Sequence, residues 1–363
     1  MSFFGRKVQI EIYGRSHAPC IGVNIKGLPK GFKIDSEKLY KFMERRSPKK
    51  SAFSTSRKEP DLPVFTRGVE DGVITGDLVS AVIYNQNQHS ADYNKLSAIP
   101  RPGHADFAAY KKYGTDYDMS GGGEFSGRLT APLCIAGGIA KQILEDKGIF
   151  VGAHIYSVGD IEDTPFETLD LDREAIESAG KKSFATLDDE RGKDMLALIE
   201  KIKADLDSVG GIVECAVIGM PAGVGAELFG GIESRISDAL FGVPAVKGVE
   251  FGDGFAASRT FGSLNNDNYY VKNGEVLPMT NHAGGILGGI STGAPIIVRA
   301  AIKPTPSISK PQKSVNMKTL ESVDLVIGGR HDSCIVPRAV AAIEAAVALA
   351  VLDKICENEE QNQ

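Results

Sequence analysis

The chain has 363 residues, 42 % of them hydrophobic and 24 % charged, with a formal net charge of -6. That is enough apolar material for one large domain or two ordinary ones, and the acidic balance argues against a general nucleic-acid binder. The five cysteines are odd in number and without CxxC spacing, which predicts reduced thiols, a cytoplasmic location and no metal site. No apolar run reaches the ~18 residues of a membrane span, and the apolar start is too short for a signal peptide.

In chain order, a strand over 8–12 runs into the turn Tyr13-Gly-Arg-Ser-His-Ala18, where Ser16 and His17 sit at a strand end. Histidine there can act as a general acid near neutral pH; the alternative is a loop histidine bonded to backbone. A helix over 36–44 precedes the basic run Arg45-Arg46-Ser-Pro-Lys49-Lys50, continued by Arg57-Lys58. This reads as a mobile loop for phosphates or carboxylates, or else as a solvated surface run. After a strand at Leu78–Tyr84, Arg101-Pro-Gly-His-Ala-Asp106 crowds a cation, His104 and a carboxylate into six positions. Ser120-Gly-Gly-Gly-Glu-Phe-Ser126-Gly-Arg128 then opens a long helix ending near Asp146. Amides freed by glycine at a helix start suit an anion.

The region 150–205 is acidic and helical over 188–206, and His154 within it reads as structural. Further on, 281–293 is glycine-rich and leads into a strand over 295–301. Lys303-Pro304-Thr305-Pro306-Ser307 supplies a cation and hydroxyls on a rigid turn, and Gly329-Arg330-His331-Asp332 gathers polar groups. The stretch 336–352 is nearly apolar except for Arg338 and Glu344, which suits a buried helix, and 357–363 reads as a frayed tail.

Four pairs of segments recur in the same order. Ile25-Lys-Gly-Leu-Pro-Lys-Gly31 resembles Val217-Ile-Gly-Met-Pro-Ala-Gly223, and Gly68, Gly72 and Gly76 share the spacing of Gly285, Gly289 and Gly293. Gly103-His104 finds an echo in Gly329-Arg330-His331, and the helix over 128–146 resembles the one over 338–353. This predicts a single domain spanning 1–363, mixed α and β, built from two pseudo-repeats near 1–150 and 205–356.

Taken together, RRSPKKS, STSRKEPD, RPGHADF, SGGG, PAVKGVEFGDGF, NHAGGILGGISTGAPI, KPTPSI and GRHDSC, in this order, resemble the chorismate synthase family over nearly the whole chain. The resemblance implies an α+β fold, a β-α-β sandwich with helices between two antiparallel sheets and internal pseudo-duplication. It implies anti 1,4-elimination of phosphate from 5-enolpyruvylshikimate 3-phosphate to give chorismate, with reduced FMN and no net oxidation. It further implies a homotetramer, with NADPH as reductant either through an external flavin reductase or on the chain itself. By position, His17 matches the donor to the departing phosphate, and His104 the residue beside flavin N1. Asp332 with Ser16 matches the relay from flavin N5. Ser126, Ala245, Gly288, Lys303, Pro304, Thr305, Pro306, Ser307 and Arg330 match FMN contacts, and Arg45, Arg46, Arg128 and Arg338 match the substrate- and nucleotide-binding set.

Three positions depart from the family's pattern, and one of them, Leu129 where the family carries Glu, has no explanation in the sequence. Arg15 stands where the family carries Glu, and Glu124 where it carries Arg. A charge swap predicts that the two residues pair; the rival reading is a flavin- or phosphate-binding homologue with lost or altered turnover.

Overall fold

The computed structural model describes residues 2–47, 61–85, 98–328 and 331–361. The chain opens with β1 (Ser2–Phe4), β2 (Gln9–Gly14), β3 (Cys20–Lys26), helix α1 (Ser36–Arg46), β4 (Val64–Arg67), the short ladder β5 (Val69–Glu70) with β6 (Val73–Ile74), and β7 (Leu78–Tyr84). Five of these strands form an antiparallel sheet in the order β1-β2-β3-β7-β4. Alternation explains its two faces: Ile21, Val23 and Ile25 of β3 point into the core, and Asn24 points the other way to Ser80 and Glu11.

Helices α2 (Asp106–Tyr113) and α3 (Thr130–Asp146) follow, then β8 (Phe150–Val158), β9 (Ile161–Glu162), α4 (Arg173–Ser178), α5 (Asp189–Ala204) and β10 (Gly211–Ile218). Next come α6 (Ile232–Phe241), β11 (Val246–Phe251), α7 (Gly262–Asn265), the hairpin β12 (Tyr269–Lys272) and β13 (Glu275–Pro278), and the ladder β14 (Ile286–Leu287) with β15 (Ile290–Ser291). The chain closes with β16 (Ile296–Ile302), the hairpin β17 (Gln312–Val315) and β18 (Ser322–Leu325), and helix α8 (Val336–Gln361). A second antiparallel sheet runs β11-β16-β10-β8-β9, so the class is α+β.

Helices α3 and α8 pack along each other, and small residues let them come close. A Cβ on Gly137 would stand 2.3 Å from that of Ala345, and both helices are buried almost all round. Helix α3 touches β3 and β7 of the first sheet and β8 of the second; α8 touches β8 and β10. Glu344, on this apolar helix, is buried against Arg45 at 2.7 Å and against Lys141. Such a charge is tolerated only because it is paired. The expected frayed tail is corrected over 357–361: α8 continues to Gln361, because Glu357 is buried against Arg235 at 3.2 Å and Lys354 at 2.5 Å.

A second buried cluster lies on the other sheet. Cross-strand register sets His154 of β8 opposite Glu214 of β10, Glu214 opposite Arg299 of β16, and Arg299 opposite Glu250 of β11. The imidazole of His154 spans Asp163 at 3.1 Å and Glu214 at 3.0 Å, which accords with its reading as structural.

Candidate functional site

The site is built on the turns that end regular elements. After β2, Ser16 and His17 are held against the glycine turn at 120–125, where Ser16 N–H donates to the Gly123 carbonyl at 3.2 Å. Gly121, Gly122 and Gly123 all have positive φ there. Any side chain at Gly121 would collide with the His17 ring, 2.1 Å from its Cε1, so only glycine permits this approach.

These turns enclose a cavity of about 580 Å³, within the range of small-molecule sites. Of the residues expected from sequence, Ser16, Arg46, His104, Ser126, Arg128, Ala245, Lys303, Thr305, Pro306, Ser307, Asp332 and Arg338 line it. His17 stands behind Gly121 rather than on the wall. Gly288, in the β14–β15 turn, and Pro304 are not among the lining residues, and Arg330 and the basic run 48–58 lie outside the described residues.

Arg45 is the clearest divergence from expectation. Neighbours on a helix point about 100° apart, so Arg46 faces the cavity and Arg45 turns inward to Glu344. A helix start capped by Asp35, whose carboxylate accepts from Lys38 N–H at 3.0 Å, sets that rotation.

Arg46 and Arg128 share one carboxylate, Asp61, which neither composition nor spacing singles out. Its signal is only that it closes the segment STSRKEPD. Burial pulls the Arg46 guanidinium down to about 10 against the opposing pull of Asp61, with Arg338 and Arg128 adding to the drop. It therefore remains charged at neutral pH. Burial also opposes ionisation of Asp61, but Arg46 and Arg128 outweigh it and hold the carboxyl below its ordinary value. Arg338 donates to Asp332 at 2.6 Å and to the Arg46 carbonyl at 3.2 Å, which fixes the relay candidate Asp332 against α8.

His104 is held by Asp106, Nδ1 to Oδ1 at 2.6 Å, and Arg101 grips the same carboxylate at 2.7 and 2.8 Å. Burial opposes ionisation of Asp106, yet the hydrogen bonds from Arg101 and His104 keep its carboxyl far below the usual range. Arg101 also lines the cavity and reaches Ser307 Oγ at 3.4 Å. Sequence placed Arg101 and Asp106 in a crowded turn without assigning either a role.

Several features suit a phosphate-bearing flavin. Arg46, Arg101, Arg128, Lys303 and Arg338 outnumber the lining carboxylates Glu124 and Asp332. Among the described residues, the buried Thr305 Oγ1 has no hydrogen-bond partner, a donor left over for a ligand. Ala245 adopts φ +77, a conformation costly for alanine, on the cavity wall. Opposite these, Ile335, Ala339 and Ala342 provide an apolar surface. The charge swap has a structural counterpart: Arg15 Nε lies 3.3 Å from Glu124 Oε1, and its guanidinium sits over the Tyr117 ring.

Compared with known proteins, the chain matches the chorismate synthase family model over residues 8–356. It is 48 % identical to the chorismate synthase of Lancefieldella parvula, with 98 % of this chain and 96 % of that protein covered. Identity to the chorismate synthase of Methanococcus vannielii is 41 %, covering 97 % and 96 %. A crystal structure of a chorismate synthase superposes with a TM-score of 0.78 at 24 % identity, over 98 % of this chain and 93 % of that one, which shows a shared fold.

Proposed function

Because the chain belongs to the chorismate synthase family, we propose that this cavity is where it converts 5-enolpyruvylshikimate 3-phosphate to chorismate. The protein is a carbon–oxygen lyase: the C–O bond to phosphate breaks, a ring C–H bond gives up its hydrogen, and a new double bond remains. The observation that carries the placement is the convergence of Arg46, Arg101, Arg128, Lys303 and Arg338 on one cavity, since the substrate bears a phosphate and two carboxylates.

Reduced FMN, when bound, supplies electron density to the breaking C–O bond with no net oxidation. Ser126, Ala245, Lys303, Thr305, Pro306 and Ser307 would hold it, with Gly288, Pro304 and Arg330 as further contacts. NADPH serves as reductant, through an external reductase or on the chain. His17, which stands behind Gly121 in this structure, protonates the departing phosphate oxygen once the turn at 120–125 gives it access, which makes that oxygen a better leaving group. His104, oriented by Asp106, holds a proton on the flavin side of the cavity. Asp332 and Ser16 carry away the proton lost from the ring. Arg46, Arg128 and Arg338 bind substrate anions; Arg45, paired with Glu344, does so only indirectly, by fixing α1.

The wider architecture supports the same reading. The order β2-β3-β7-β4 in one sheet parallels β8-β10-β16-β11 in the other, as two pseudo-repeats flanking a helical layer would produce; in this alignment the second repeat also takes in β8. Leu228, Phe229, Phe255 and Phe261 are each more than three-quarters exposed, apolar surface that a homotetramer interface would cover. No helix among the described residues is long and apolar enough to cross a membrane; a cytoplasmic location is part of the proposal.

The test is anaerobic turnover of 5-enolpyruvylshikimate 3-phosphate with chemically reduced FMN, following chorismate and phosphate together. Equal release is expected. Binding of both ligands without turnover would favour the second reading, a binder altered at Arg15 and Glu124.

A further inference from the structure

Arg128 and the His17 turn come from distant parts of the chain, and both meet one amide. Asn85, at the end of β7, accepts from Arg128 Nε at 3.2 Å and from Arg128 Nη2 at 3.1 Å through its Oδ1. Its Nδ2 donates to the Ala18 carbonyl at 2.6 Å and to the Ser16 carbonyl at 3.3 Å, the two carbonyls that flank His17. The Asn85 backbone N–H adds a bond to the Pro19 carbonyl at 3.0 Å. Beyond Arg128, Asp61 extends the network to Arg46.

We propose that Asn85 is a positioning residue that sets His17 in register with Arg128, and through Asp61 with Arg46, from behind the cavity wall. Asn85 does not line the cavity, whereas Ser16, Arg46 and Arg128 do. The side chain suits the task for a chemical reason. An amide carries an acceptor and a donor at a fixed separation, so it can face a guanidinium on one side and two carbonyls on the other. A carboxylate could not donate to the carbonyls, and a lysine could not accept from the guanidinium. The consequence is that the group that grips the substrate anion and the group that protonates its leaving oxygen are held at one fixed spacing, which elimination requires.

The inference rests on the proposed role of His17 as proton donor, so the experiment separates the two. Kinetics are measured on the full chain with reduced FMN and 5-enolpyruvylshikimate 3-phosphate, for N85A alone and combined with R128A or H17A. N85A is expected to raise KM and lower kcat, together about 100-fold in kcat/KM. The KM part should vanish in the R128A background and the kcat part in the H17A background. Should N85A fold poorly, N85D keeps an acceptor for Arg128 and loses the donor, and is expected to lower kcat proportionally more than it raises KM. The same N85A effect in every background, or wild-type kinetics in N85A, overturns the proposal. A second readout needs no turnover: with 13C-labelled histidine, the His17 resonance should shift in N85A and in N85D. An unmoved resonance overturns the proposal even if the variants are slow. Wild-type kcat in H17A would instead sink the donor role of His17, and the labelled resonance would still decide whether Asn85 holds the turn.

Discussion

Two histidines in this molecule pair with buried carboxylates that also bind an arginine, and the difference that matters between them is whether one side is left open. His154 is fully buried between Asp163 and Glu214. Those carboxylates take further hydrogen bonds from Phe166 N–H at 2.6 Å, Leu187 N–H at 2.6 Å and Asp188 N–H at 2.9 Å. Arg299 closes the remaining side at 2.8 Å from Glu214. His104 has a comparable set in Asp106 and Arg101, but it borders the cavity. The same chemistry therefore makes a fastener where every polar atom is taken up by protein, and a site where one side is left open. In the first case it ties the segment 163–188 to the second sheet.

The largest effect expected to test this contrast is on catalysis. His104→Gln should lower kcat by about 10²- to 10⁴-fold while leaving the denaturation midpoint near that of the parent. A large drop in stability would make His104 a second fastener. The counterpart is Glu214→Ala, which removes the buried carboxylate shared by His154 and Arg299 and leaves His154 only Asp163 and the half-buried Arg299 only Glu250 at 3.8 Å. It should cost about 3–5 kcal/mol of stability, read by chemical denaturation, with kcat per folded enzyme unchanged. Loss of turnover in fully folded Glu214→Ala protein would break the comparison from the other side.

The His154 cluster also makes stability depend on pH. Burial, the largest influence on His154, pulls its pKa down, but hydrogen bonds to Asp163 and Glu214 outweigh it and raise the pKa above the ordinary value. A group raised in the folded state contributes stability fully below its unfolded pKa and loses it as pH rises through the folded pKa. Asp163 and Glu214 are lowered, against their own burial, and lose their contribution as the pH falls through their folded values. Stability should therefore decline as the pH rises from the ordinary histidine value through the raised His154 pKa, and His154→Gln should flatten that limb in denaturation curves taken across pH. An unchanged alkaline limb would mean that the imidazole is neutral in the folded protein.

The smallest effect concerns Arg15 and Glu124, whose side chains are 42 % and 39 % exposed. Arg15→Ala should change stability by less than about 1 kcal/mol. Arg15→Glu combined with Glu124→Arg should recover the kcat/KM that each single change loses, and additive losses would mean that the pair has no joint role at the cavity mouth.

Local order was the part legible from sequence. The helix over 36–44, the strand at Leu78–Tyr84 and the helix over 188–206 are found at Ser36–Arg46, Leu78–Tyr84 and Asp189–Ala204, because periodicity and capping act over a few residues. The segments that meet at the cavity were also legible, since turn residues such as those at 120–128 and 303–307 advertise unusual backbone and charge together. Tertiary structure alone decided which member of a pair does what. Arg45 and Arg46 are chemically alike in sequence, and only the rotation of α1 against α3 and α8 sends one to Glu344 and the other to the cavity. Asp61 and Asn85 look like ordinary loop residues until β7 and the His17 turn bring their partners within hydrogen-bonding distance. The reason is physical: local propensity depends on near neighbours in the chain, whereas a carboxylate shared by two arginines, or an amide shared by an arginine and a turn, exists only once distant segments have packed.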